Sequence, residues 1–89
     1  MYNWERSDKL KKILQKLQKR DKVRYEATLH KIQEVVTCEN PHHYKNLRYD
    51  MKEFKRVHID SHFVLIFKVE ENTKTIKFED LQHHDTIYG

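Results

Sequence analysis

Residues 56–79 read RVHIDSHFVLIFKVEENTKTIKFE, and this stretch decides the fold. Arg56-Val57-His58-Ile59 alternates polar with apolar, the period-two pattern of a strand with one buried face. Phe63 to Val69 is apolar on both faces, as a strand at the centre of a sheet is, and Thr75 to Glu79 alternates again around Ile76 and Phe78. Asp60-Ser61 and Glu71-Asn72-Thr73 are turn formers between the runs. The segment therefore reads as an antiparallel meander of three strands with Phe63 to Val69 in the middle.

Upstream the period becomes helical. Ser7 or Asp8 can cap a helix carrying Leu10, Ile13, Leu14 and Leu17 at i, i+3, i+4 and i+7, with Lys and Gln opposite. After the polar turn Lys19 to Asp21, a second helix is expected to about Glu39, with Tyr25, Leu29, Ile32 and Val36 on one face, until Asn40-Pro41 ends it. So short a turn makes an antiparallel helix hairpin. Tyr2 to Trp4 reads as a short strand ahead of it. With 89 residues there is room for one core, so 1–89 is expected to be a single α+β domain of order β-α-α-β-β-β. The helix hairpin packs on one face of a small antiparallel sheet, leaving the other face or its rim open for a ligand.

Lys plus Arg number 18 against 14 for Asp plus Glu, a formal charge of +4 that favours an anionic partner, nucleic acid first. Residues 42–58 hold Lys45, Arg48, Lys52, Lys55 and Arg56 against Asp50 and Glu53, whereas residues 70–85 are acidic in excess. The basic stretch leads into the first sheet hairpin, where its cations can hold several phosphates. Lys9, Lys11, Lys12, Lys16 and Lys19 of the first helix read as solvated surface. The longest apolar run, Phe63 to Phe67, is five residues, far short of the roughly 20 that cross a bilayer, so no membrane partner is expected. The single Cys38 excludes an intramolecular disulfide, and without an apolar leader a cytoplasmic location is expected.

Seven histidines are many for this length, and six of them, His42, His43, His58, His62, His83 and His84, follow the helices. Histidine accepts and donates protons near neutral pH, as cleavage of an RNA phosphodiester through its own 2′-hydroxyl requires. Arg56 and His58, two apart on one strand, share a face opposite Val57 and Ile59, so a cation and a potential base project together. Zinc finds no Cys pair and no H-x-x-x-H on a helix, and adjacent His83 and His84 would point apart in a strand; no metal or cofactor is expected. Ser7, Ser61 and Cys38 lack a nucleophile's setting, and with Gly89 the one glycine there is no phosphate-cradling loop.

In chain order, Lys45-Asn46-Leu47-Arg48, then Phe54-Lys55-Arg56-Val57-His58-Ile59, then Phe63 to Val69, then His83-His84-Asp85-Thr86-Ile87-Tyr88 resemble the RelE/ParE superfamily of toxin–antitoxin toxins. The likeness is closest to the YafQ-like branch of RelE messenger-RNA interferases and spans essentially the whole chain. It implies a metal-independent endoribonuclease that enters the ribosomal A site, cuts messenger RNA through 2′-hydroxyl attack, and is held by a protein antitoxin in a hetero-oligomer. On this chain the resemblance makes His58 and His84 the general base and acid in either order, with His83 the alternative one position away. Arg56 stabilises the phosphorane, Tyr88 stacks on a base or positions the 2′-hydroxyl, and Lys45 and Arg48 hold the RNA backbone. Lys52, Lys55, His62 and His83 are further expected RNA contacts. Two departures stand out: His62 occupies the place of a family acid, for which Asp60 is the nearby substitute, and Val64 stands where other branches carry arginine. The alternatives are a ParE-like gyrase poison and a member that binds RNA or antitoxin without cutting; neither calls for a proton-transfer pair.

Overall fold

The computed structural model describes residues 2–47 and 53–88, the last two as backbone alone. The elements are β1 (Asn3–Arg6), α1 (Asp8–Arg20), α2 (Lys22–Thr37), a 3₁₀ turn (Pro41–His43), β2 (Lys55–His58), β3 (Phe63–Glu70), β4 (Thr75–His83) and α3 (His84–Tyr88). Ser7 caps α1, its Oγ accepting from the Leu10 amide at 3.0 Å. Asp21 alone joins the helices: its amide donates to the Leu17 carbonyl at 2.8 Å, and its carboxylate accepts from the Arg24 amide at 3.1 Å. One residue thus closes α1 and opens α2. The second helix stops at Thr37, short of Glu39, and Asn40 caps the following turn by accepting from the His42 amide at 3.0 Å.

Leu10 and Leu14 of α1 and Ile32, Val35 and Val36 of α2 pack on Leu65, Phe67, Ile76, Phe78 and Leu81 of the sheet. Thr28 is wholly buried among them because its hydroxyl donates to the Arg24 carbonyl at 2.8 Å. No helix among the described residues is long and apolar enough to cross a membrane.

The sheet order is β1-β4-β3-β2. The three-stranded meander forms as its turns and periods predict, but β1 joins β4 in parallel, Asn3 beside Thr75 and Arg6 beside Phe78, so the sheet is mixed rather than antiparallel. A strand separated from its partner by two helices takes its direction from how they cross the sheet, and no local pattern records that. β4 also runs four residues past Glu79, to His83. Ile66 pairs with Asp80 and Phe67 with Phe78, leaving Glu79 as a bulge whose carbonyl accepts from Ser7 Oγ at 2.6 Å. The extra residue returns Leu81 to the helix side and turns Asp80 and Gln82 away from it, breaking the alternation by which the strand would have been recognised.

Candidate active site at the histidine end of the sheet

Val57 packs on the core, so Arg56 and His58 face away from the helices. Strand pairing sets His58, Val64 and Gln82 in one row and Arg56, Ile66 and Asp80 in the next. Val64 and Ile66 are buried and His58 is exposed. β4 ends at His83, and α3 turns against β3 and β4, with the His84 amide donating to the His62 carbonyl at 2.6 Å. This turn brings the imidazoles of His58 and His84 together, ring centres 5.4 Å apart and planes 35° from parallel. His83 takes the other direction, to Phe63 and His62. The two neighbours diverge, not by the alternation of one strand but because a strand gives way to a helix between them. Asp85 stands 3.8 Å from the Nδ1 atoms of both His83 and His84.

The expected cations are distributed differently. Lys45 is exposed beside the site, its carbonyl accepting from the Arg56 amide at 3.0 Å. Lys55, expected to contact RNA, instead ties down the loop before it, its ammonium donating to the carbonyls of His42 at 3.1 Å and Tyr44 at 3.0 Å and to Asn46 Oδ1 at 2.7 Å. Three acceptors use its three donors, and partial burial lowers its pKa. Arg48 and Lys52 lie outside the described residues, as does the Tyr88 side chain. Asp60 anchors the β2–β3 turn, Oδ1 accepting from the amides of His62 at 2.8 Å and Phe63 at 2.9 Å and Oδ2 from Arg24 at 3.1 Å. Burial pushes its carboxyl up, but the two amides and the guanidinium outweigh that and hold it below the ordinary range.

His42 and His43 do not join the other histidines. They sit near the opposite end of β3, about 25 Å away by the rise of an eight-residue strand, where His42 Nε2 meets Glu71 Oε2 at 2.7 Å. One buried charge escaped the sequence reading. Asp80, in the row of Arg56, is 7% exposed and accepts from Lys9 at 2.9 Å, from the Leu81 amide at 2.8 Å and from the Gln82 amide group. Lys9 is therefore a partner of the sheet rather than plain surface, and nothing but the bulge signals it. Among the described residues no group of three or more His, Cys, Asp or Glu is placed to hold a metal ion.

Two adjacent imidazoles can take a proton from one atom and deliver one to another, and a guanidinium one row away can hold an anion between them. No family model matches the chain. The protein named "Putative toxin RelE4" of Methanocaldococcus jannaschii is 57% identical over 88 residues, covering 99% of this chain and 92% of that protein. An uncharacterized protein of Methanosarcina mazei is 44% identical over 88 residues, 99% of this chain and all of that one. Among solved structures, YafQ from E. coli BL21(DE3) superposes over the whole of both chains with a TM-score of 0.67 at 22% identity. The YoeB/ParE toxin from Agrobacterium tumefaciens gives a TM-score of 0.74 at 12% identity, covering 92% of this chain and 98% of that one. The fold is shared with these toxins, and the identity to RelE4 along nearly its full length shows that the chain belongs to the RelE/YafQ toxin superfamily.

Proposed function

We propose that this chain is the toxin of a toxin–antitoxin pair and acts in the cytoplasm as a ribosome-dependent messenger-RNA endoribonuclease. The observation that carries the reading is the approach of His58 and His84, from a strand and from a helix, to 5.4 Å beside Arg56. One imidazole takes the proton of the 2′-hydroxyl, whose oxygen forms the new bond to phosphorus. The bond from phosphorus to the 5′ oxygen breaks, and that oxygen takes a proton from the other, protonated imidazole. Arg56 and exposed Lys45 offset the charge of the phosphorane. The step leaves a 2′,3′-cyclic phosphate and a 5′-hydroxyl, with no change of oxidation state and no metal required. The solved DinJ-YafQ toxin-antitoxin complex of E. coli, 23% identical in the matched chain, supports a protein antitoxin as partner.

The test is controlled expression of the wild type and of the His58→Ala/His84→Ala double variant, with messenger-RNA 5′ ends mapped. A missing acid or base costs about 10²- to 10⁴-fold, so codon-phased cuts on translated messages are expected with the wild type alone. Growth arrest without cuts would move the reading to a gyrase poison or a binding-only toxin, and equal cutting by both chains would remove the histidines from the chemistry.

A further inference from the structure

The proposed cleavage pair uses one side of the sheet end. On the other side, towards the helices, four groups form a continuous stack. The Arg24 guanidinium lies 4.2 Å from the centre of the Phe63 ring. His83, paired with Phe63 across β3 and β4, meets that ring edge-on at 5.3 Å. His62 lies within 24° of parallel to His83, ring centres 6.1 Å apart. Both ends of the stack are tied down: Arg24 by Asp21 at 2.9 Å and Asp60 at 3.1 Å, and His62 by Ser61 Oγ at 3.2 Å and by its carbonyl to the His84 amide at 2.6 Å. Its two histidines, His62 and His83, are exposed.

We infer that the His62–His83 surface is a nucleobase subsite, on which an unpaired base of the RNA neighbouring the cleaved bond stacks. The RNA itself rests on the cleavage reading above; the subsite goes beyond it in giving these two histidines a base to hold rather than a proton or a phosphate. Flat π-faces already ordered by their neighbours accept a base at little further cost in side-chain freedom. The guanidinium of the stack, Arg24, is already paired with Asp21 at 2.9 Å and Asp60 at 3.1 Å, so the surface suits an uncharged ring better than a phosphate. His83 and His84 are consecutive and turn to opposite sides of the sheet end. A strand whose scissile phosphate lies between His58 and His84 therefore carries its adjacent nucleotide round the rim to His83.

The experiment uses ribosomes programmed with messages bearing 2-aminopurine at single positions around the cut, since stacking quenches that base. With the cleavage-silent His58→Ala/His84→Ala chain, quenching is expected at a position flanking the scissile bond, to be lost on adding His62→Ala and kept with His62→Phe, which preserves the π-face. In the cleaving chain, His62→Ala should raise KM about tenfold, the value of one stacked base, with the single-turnover rate at saturation unchanged within about twofold and His62→Phe restoring KM. Loss of rate at saturation with KM unchanged, or no effect of His62→Ala on either, overturns the subsite. Quenching without cleavage by the wild type keeps the subsite and overturns the proposed activity, and absence of both overturns both.

Discussion

Neighbouring residues of one type differ here by their surroundings. His83 and His84 carry the same ring, and where the strand stops between them decides which meets His58 and which meets Phe63. The residue types and the Arg56–His58 face were legible in the sequence because a strand's alternation is local. The meeting of His58 with His84 was implied by the family resemblance alone and by no period or spacing, because it depends on a backbone bond from His84 to His62. Away from the site, Glu71 is strongly perturbed: hydrogen bonds from His42 above all, then from Lys74 and Tyr2, lower its pKa from 4.5 to about 2. A carboxyl depressed on folding contributes stability that is full above its unfolded pKa and is lost as pH falls through the folded one. The advantage of the wild type over Glu71→Gln in urea unfolding should therefore shrink as pH is lowered from 4.5 to 2. A difference that stays constant across that window would mean that the three contacts do not hold the ionised form.

At the scale of elements, the helices and the meander announce themselves by period, caps and turns, and what escaped was irregular or non-local. The bulge at Glu79 hides the second half of β4, and with it Asp80 and the approach of His83 to Phe63. The loop from His42 to Asn46 has no periodic signature at all and is held largely by Lys55, whose charge read as an RNA contact because sequence shows a lysine but not its three acceptors. Lys55→Met should cost about 1–2 kcal/mol in urea unfolding, since a partly buried hydrogen-bonded cation is lost and its acceptors are rehydrated only in part. If Lys55→Met unfolds at the same urea concentration as the wild type, the loop draws its order from elsewhere.

Across the whole molecule, one face of a four-stranded sheet meets two helices, and two phenylalanines form the middle of that contact. Phe67 and Phe78, fully buried with ring centres 5.7 Å apart, touch both layers. Phe78→Ala is expected to cost about 3–5 kcal/mol, much of the roughly 5–15 kcal/mol that a domain of this size holds. Thermal unfolding would measure it, and a loss under about 1 kcal/mol would mean the core refills the space. The order of elements was readable in advance, whereas the direction of β1 was not, because Asn3 and Thr75 are 72 positions apart. That separation bears on synthesis. Strand β1 leaves the ribosome without a partner until residue 75 and its neighbours emerge, and both halves of the histidine pair lie on segments that β3 and β4 must bring together. A product terminated before that point carries the two helices with β2 and β3 but no β4, and lacks His84 altogether. Whatever chemistry the pair performs is thus absent from partial chains and appears all at once.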